Sequence, residues 1–166
     1  MERVKHKAIL VMAYPSGLPV SEVARLKVAD IDGKHKMLHI KASEGRKDRY
    51  SLLSETALEI LRGYWCQYQP PNWLFPGAKP DSHIHTGSIQ KIFSNACQKA
   101  GIQKQLSVHS LRHCFATHLL EDGTGIRYIQ ELLGHKKLET TEIYTHVSTR
   151  NISRIQSPSE KLDLKR

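Results

Sequence analysis

The chain has 166 residues, of which 39% are hydrophobic, and its 25 Lys and Arg against 16 Asp and Glu give a net charge of +9. This length supports one domain with its own core and excludes a large multidomain protein, while the charge favours a polyanion partner, most often nucleic acid. Three widely spaced cysteines without a CxxC pair argue against a disulfide framework or thiolate zinc site, and no apolar run is long enough to span a membrane, so we expect a reduced, cytoplasmic protein.

The first third of the chain predicts two helices and a hairpin. Helical spacing of apolar residues runs over residues 4–14 and stops at PSG, and SEVARLKVADID then begins a second helix with Ser21 as its N-cap. Residues 36–53 alternate in KMLHIKA, turn through SEGRKD and continue in RYSLL. This pattern is typical of an antiparallel β-hairpin.

The rest of the chain reads as helices and loops. SETALEILRGYWCQY is a helix capped by Ser54 with Trp65 on its inner stripe, and TGSIQKIFSNACQKAG is a helix capped by Thr86 and closed by Gly101. The segments VHSLRHCFATHLLEDG, TGIRYIQELLG and LETTEIYTHV predict three more helices before a tail rich in Ser, Lys and Arg. The expected fold class is therefore mainly α with a small antiparallel β-sheet (α+β).

Four side chains in residues 108–147 suit phosphoryl transfer without a metal: His109, Arg112, His135 and Tyr144. A tyrosine hydroxyl is a nucleophile, and an arginine binds phosphate oxygens through two parallel hydrogen bonds. Histidines hydrogen-bond the same oxygens or move protons near neutral pH. His109 and Arg112 are three residues apart on a predicted helix and share a face.

Each of these side chains is also compatible with a purely structural or metal-binding role. A single tyrosine on a helix is usually a packing or surface residue. His109 and His113 have the i, i+4 spacing of zinc ligands, which leaves a zinc-binding helical module as an alternative. No glutamate directly follows the first histidine, so the metalloprotease pattern fails.

The order of these elements resembles the tyrosine recombinases, the phage-integrase and Xer-like family. HSLRHCFATHLLEDGTGIRYIQELLGHKKLETTEIYTHV resembles that family's signature region, with an HxLRH element, an LGH element and a downstream tyrosine. GLPVSEVARLKVADID is similar to its upstream box, IKASEGRKDRYSLL to its hairpin and WLFPG to its connecting segment. The resemblance covers about residues 1–155.

The resemblance implies a catalytic domain that cleaves one DNA strand at a time. It implies a 3′-phosphotyrosine intermediate, a free 5′-hydroxyl, and no metal or other cofactor. Tyr144 would be the nucleophile, Arg112 and His109 phosphate-binding residues, and His135 the LGH histidine near the scissile phosphate. The implied partner is double-stranded DNA, bound by a homo-tetramer, while the isolated domain would be a monomer.

Two positions of this chain depart from the family pattern. The upstream box normally carries an arginine where this chain has Pro19, and the hairpin turn normally carries a lysine where it has Glu44. Loss of one preorganised donor costs about 10²–10³ in rate, and loss of a general acid roughly 10²–10⁴. Lys41, Arg46 and Lys47 are the candidates to replace the lysine. A catalytically inactive DNA-binding remnant of the same fold is therefore the alternative function.

The resemblance also divides the chain. Residues 1–155 would form the catalytic domain and residues 156–166 a C-terminal tail, with the family's N-terminal core-binding domain absent. Positive or hydrogen-bonding side chains in and after the hairpin and on the HxLRH helix are expected to contact DNA: Arg46, Lys47, Arg49 and His113.

Overall fold

The computed structural model describes residues 2–14, 16–41, 47–134 and 157. These residues form helices around one small antiparallel sheet, which confirms the predicted α+β class. The helices are α1 (Glu2–Ala13), α2 (Val20–Ala24), α3 (Glu55–Tyr68), α4 (Thr86–Lys99), α5 (Val108–Glu121) and α6 (Ile126–Leu133). The strands are β1 (Ile31–Asp32), β2 (Met37–Ile40) and β3 (Arg49–Leu52), and a short 3-10 helix, Val28–Asp30, precedes β1.

The predicted hairpin forms the centre of the sheet. Strands β2 and β3 pair antiparallel from Met37 with Leu52 to Ile40 with Arg49, which confirms the prediction for residues 36–53. The predicted turn, residues 42–46, lies outside the described residues. Strand β1, which the sequence did not predict, adds to the other edge of β2, so the strand order is β1-β2-β3.

Helix α2 starts one residue before the predicted cap. Pro19 is the N-cap, with φ −58° and ψ 148°, and its carbonyl accepts hydrogen bonds from the backbone N–H groups of Glu22 and Val23. The prediction of Ser21 as N-cap was therefore wrong. A proline has no side-chain acceptor, but its fixed φ leads into a helix without strain.

Helix α4 also has a different cap from the predicted one. Thr86 is its first helical residue, and the preceding His85 accepts the backbone N–H of Gly87 on its ring Nδ1 at 3.1 Å. The prediction of Thr86 as N-cap was wrong because the histidine ring supplies the acceptor that the orphan N–H groups require. Gly101 follows the end of the helix with a left-handed φ of +72°, in agreement with the prediction.

Helix α3 begins and packs largely as predicted. The Oγ of Ser54 accepts the backbone N–H of Ala57 at 3.1 Å, and Tyr64 is fully buried, with its hydroxyl donating to the carbonyl of Leu74 at 2.9 Å. Trp65 was expected on the inner stripe, but it is 47% exposed. One residue is a turn of about 100° around a helix, and the core lies on the Tyr64 side.

Two buried apolar clusters hold the fold together. The larger one joins α1, α2, α3, α4 and strand β2. The smaller one joins the hairpin to α5 and α6 through Met37, Leu52, Phe115, Leu119, Ile129, Leu132 and Leu133. Burial of these side chains fixes α5 and α6 against the sheet, because removal of apolar surface from water is the main driving force of packing.

The described residues also bear on the predictions about cysteine and membrane. Cys66, Cys97 and Cys114 are free thiols, of which Cys66 and Cys114 are exposed. In the part of the chain that the structure describes, we find no helix with the length and apolar character of a membrane span.

Candidate active site

Arg112 connects the two segments that flank it in space. It projects from the second turn of α5 and donates from Nη1 to the carbonyl of Gly17 at 2.8 Å and from Nη2 to the carbonyl of Leu133. Gly17 lies two residues before Pro19, and Leu133 lies two residues before His135. One guanidinium thus joins the segment that leads to Pro19 with the C-terminal end of α6.

Gly17 allows the close approach that this link requires. Its φ is +62°, and a Cβ added there would collide with the ring of Phe115, which is fully buried one turn after Arg112 on α5. A side chain at residue 17 would therefore meet both backbone strain and a steric clash. The glycine lets the segment before α2 lie directly on α5.

A second arginine lies beside the first. Arg49, at the start of β3, donates to both carboxylate oxygens of Glu22 at 2.8 and 2.5 Å and from Nε to the carbonyl of Leu132 at 3.2 Å. Its side chain is 16% exposed. The sequence predicted Arg49 as a DNA contact, whereas the structure places its guanidinium on the carboxylate of α2.

Sequence reasoning missed Glu22 as part of this cluster. The only signal for it was its place in GLPVSE, three residues after Pro19 and hence on the same short helix. Its partner Arg49 is 27 residues away in sequence. That pairing depends on how the hairpin packs on α2, which residue patterns do not specify.

The electrostatic environment of Arg112 follows from this cluster. Burial lowers the pKa of Arg112 below its usual value, the positive charge of Arg49 lowers it further, and the negative charge of Glu22 opposes both effects. A guanidinium nevertheless keeps its proton in proteins. The cluster of Arg49, Arg112 and Glu22 therefore carries one net positive charge beside Pro19.

The two histidines of α5 that the sequence singled out are exposed and lie together. The rings of His109 and His113 meet edge to face with centroids 4.9 Å apart. His109 lies in the first turn of α5, one turn before Arg112, as predicted. Among the described residues there is no group of three or more His, Cys, Asp or Glu that could hold a metal ion.

The candidate lysines differ in their surroundings. The ammonium of Lys41, at the end of β2, lies 3.7 Å from Oδ1 of Asp30, a buried carboxylate whose other oxygen accepts the backbone N–H of Lys27 at 2.9 Å. Lys47 is exposed before β3. Both side chains are thus exposed, and Lys41 in addition lies beside a buried carboxylate.

Several predicted positions lie outside the described residues. These are Glu44, Arg46, His135 and Tyr144. Pro19 is described, and it caps α2 beside the arginine cluster.

A cleft of about 330 Å³ opens on the other side of Glu22. Its lining combines the basic side chains of Arg25, Lys27, His39 and Lys41 with the carboxylates of Glu22 and Asp30. Trp73 forms an aromatic wall, with the Lys27 ammonium 4.9 Å from its ring centroid. The sequence analysis did not predict this cleft, because its residues come from α2, the sheet and the loop before α4.

Known proteins are similar to this chain over most of its length. Residues 1–151 match the phage integrase family. A putative integrase/recombinase of Sinorhizobium fredii, y4qK, is 42% identical over 159 residues, which are 96% of this chain and 52% of the relative. This chain therefore spans about half the length of that relative.

Solved structures show the same fold. The integrase from mycobacterium phage Brujita superposes with a TM-score of 0.73 and 31% identity over 91% of this chain and 50% of that one. The XerH site-specific recombinase bound to its difH substrate, in a pre-cleavage complex, superposes with a TM-score of 0.71 and 26% identity over 92% of this chain and 46% of that one. The chain belongs to the phage integrase family of tyrosine recombinases.

Proposed function

We propose that this chain is the DNA-binding catalytic domain of a site-specific tyrosine recombinase or integrase that cleaves and rejoins DNA through a 3′-phosphotyrosine at Tyr144. The observation that carries the proposal is the pair of hydrogen bonds from Arg112 to Gly17 and Leu133. They join the segment that contains Pro19 to the segment that precedes His135. A phosphate bound beside Arg112 would therefore lie close to the residues that the family resemblance assigns to catalysis.

The proposed reaction is a transesterification. The Tyr144 hydroxyl gives up its proton as its oxygen bonds to the phosphorus of a DNA phosphodiester. The bond from phosphorus to the 5′ oxygen breaks, and that oxygen takes up one proton, so that no net proton is gained or lost. Arg112 binds the non-bridging oxygens and stabilises their charge in the transition state, with His109 and His135 as hydrogen-bond donors. Attack by the free 5′-hydroxyl reverses the step and rejoins the strand.

Pro19 and Glu44 are proposed to impair this reaction. Proline has no donor for the phosphate, and a glutamate repels it. Both Lys41 and Lys47 are exposed, but Lys41 lies beside the Asp30 carboxylate, so Lys47 is the better candidate to protonate the 5′ oxygen. DNA binding is supported by the cations of the cleft, Arg25, Lys27 and Lys41, which outnumber its carboxylates, Glu22 and Asp30.

A covalent capture experiment tests the activity. Nicked duplexes randomised around the nick let the short 5′-hydroxyl fragment diffuse away, so that a cleaved strand stays attached to the protein. We expect the wild-type chain to form a small amount of adduct that survives denaturing electrophoresis, and Tyr144→Phe to form none, because phenylalanine lacks the attacking oxygen. Adduct that persists in Tyr144→Phe would contradict the assignment of the nucleophile.

Restoration of the family arginine tests the role of Pro19. We expect Pro19→Arg to raise the adduct yield by about 10²-fold, the usual contribution of one preorganised donor. Pro19→Ala is the matched control, because it removes the proline without adding a cation and should leave the yield unchanged. Equal yields from Pro19→Arg and Pro19→Ala would contradict the assignment of residue 19 to the phosphate site.

The alternative is a DNA-binding protein of this fold that does not cleave. The substitutions at Pro19 and Glu44 favour it. It predicts that duplex DNA is retained by the wild-type chain but that no adduct forms, even in Pro19→Arg/Glu44→Lys. In either case the proposed partner is double-stranded DNA. We propose that the protein is a homo-tetramer on DNA and a monomer when it is free. Sedimentation with and without DNA would test both states.

A further inference from the structure

We propose that Arg49 is a positioning residue that fixes the C-terminal end of α6, where Arg112 also binds, and that it is not a DNA contact. The inference rests on the proposed function for the importance of Arg112. The structural claim about α6 is independent of that function.

Every nitrogen of the Arg49 side chain has a partner within the protein. Nη1 and Nη2 bind the two oxygens of Glu22 at 2.8 and 2.5 Å, and Nε binds the carbonyl of Leu132 at 3.2 Å. A bidentate arginine–carboxylate pair is geometrically specific, and it gains strength when it is shielded from water. With its side chain 16% exposed and that of Glu22 24% exposed, this pair is largely shielded.

The guanidinium also packs against the end of α6. Gly134 ends the helix with a left-handed φ of +67°. A Cβ added there would lie 2.8 Å from Nε, 2.9 Å from Cζ and 3.0 Å from Cδ of Arg49. Glycine is therefore required on two grounds, the backbone conformation and the space that Arg49 occupies.

Two arginines bind successive carbonyls at this helix end. Arg49 binds that of Leu132 and Arg112 binds that of Leu133. The last carbonyls of a helix lack partners within the helix and carry its partial negative charge, so cations stabilise them. Glu22 in turn holds Arg49, which connects α2, the hairpin and α6 through one side chain.

These contacts separate Arg49 from a phosphate-binding residue. A phosphate ligand would have to displace Glu22, which already supplies a bidentate anion at hydrogen-bond distance. Nearby Lys47 is exposed and can reach DNA without breaking an internal bond. The charge of Arg49 is therefore compensated within the protein.

Amide hydrogen exchange and salt dependence distinguish the two roles. Arg49→Gln should accelerate exchange of the amides of Ile126–Leu133 by about tenfold or more, because it leaves the Glu22 charge and a helix carbonyl without their partner. The slope of log affinity for duplex DNA against log salt should not change. A slope reduced by about 1 with unchanged exchange is the signature of a lost phosphate contact and would overturn the proposal.

Removal of the carboxylate tests the pair from its other side. Glu22→Gln keeps the charge of Arg49 but removes one of the two oxygens that hold its guanidinium, so we expect exchange of the Ile126–Leu133 amides to accelerate in this variant as well. Wild-type protection of α6 in Glu22→Gln would contradict the role of the pair.

Two further variants keep the test decisive. Arg62→Gln removes the same charge from an exposed site on α3 and should leave exchange unchanged. If Arg49→Gln does not fold, Arg49→Lys keeps the charge but lacks the planar fork that binds both oxygens of Glu22 while Nε binds Leu132. It should still accelerate exchange in α6, and wild-type protection in Arg49→Lys would count against the proposal. The exchange experiment uses free protein, so failure to bind DNA would count against the proposed function alone.

Discussion

At the scale of single residues, Tyr64 shows how strongly the core opposes ionisation. It is fully buried, its hydroxyl donates to the carbonyl of Leu74 at 2.9 Å, and its ring stacks on Tyr68. Burial, followed by the nearby Tyr68, raises the pKa of Tyr64 to about 12. The unfolded chain ionises this phenol near pH 10.

The stability of the protein should therefore fall as the pH rises from about 10 towards 12, because the unfolded state loses the Tyr64 proton first. We expect Tyr64→Phe to weaken this alkaline destabilisation and, at neutral pH, to cost about 1 kcal/mol for the lost hydrogen bond. Urea unfolding at a series of pH values measures both effects.

The control for this experiment is Tyr50→Phe, whose ring is 39% exposed. It should leave the alkaline loss of stability as in the wild type. An unchanged pH profile in Tyr64→Phe would show that other groups cause the alkaline loss.

Prediction of single residues from the sequence succeeded where their spacing along a helix determined their positions. The i, i+3 interval of His109 and Arg112 placed both on α5, as the structure has them. The sequence assigned Arg112 to the phosphate site and Arg49 to a DNA contact, but it could not show that a carboxylate holds Arg49 within the protein. Their difference lies in Glu22, whose carboxylate meets Arg49 only after α2 and the hairpin have packed.

At the scale of elements, the start of α3 provides a test of helix capping. Ser54 is almost fully buried, and its Oγ accepts the backbone N–H of Ala57. We expect Ser54→Ala to reduce the free energy of unfolding by about 1 kcal/mol, since the N–H group loses its acceptor. Chemical denaturation measures the change.

Ser94→Ala is the matched control, because this exposed serine lies in the middle of α4 rather than at a helix start. It should change stability little, since alanine favours a helix interior. Equal losses in Ser54→Ala and Ser94→Ala would contradict the capping role of Ser54.

The same capping rule failed at α2 and α4 for a physical reason. Ser21 and Thr86 are good cap residues by type, but the backbone enters those helices one or two residues earlier, at Pro19 and His85. Cap preferences rank residues at a known boundary and locate the boundary itself less well. The proline φ and the histidine ring decide these starts, and only the folded chain reveals them.

At the scale of the whole molecule, the net charge of +9 should govern affinity for DNA. Each phosphate contact contributes about −0.9 to the slope of log affinity against log salt, so we expect a steep decline. Arg25→Gln, in the basic cleft, should reduce the slope by about 1, and Arg62→Gln should not. Fluorescence anisotropy across a salt series measures the slope, and a flat response would contradict binding along the DNA backbone.

The assembly of the site at this scale depends on the smaller apolar cluster. Phe115 on α5 and Leu132 on α6 pack with Met37 and Leu52 of the hairpin, which brings Arg112 and Arg49 together. Hydrophobic periodicity in the sequence predicted that each element has an apolar face. It could not predict which faces meet, because that choice depends on how well the shapes of two apolar faces fit together, and the spacing of apolar residues does not specify shape.

The backbone at Pro19 has a consequence for substitution at this residue. Its φ of −58° and ψ of 148° are open to every L-amino acid, in contrast to residue 17, where only glycine fits. All proline codons become arginine codons by a change of the second base alone. The arginine that the proposed phosphate site requires at residue 19 is thus one point mutation away, and the backbone there already has a conformation that arginine adopts.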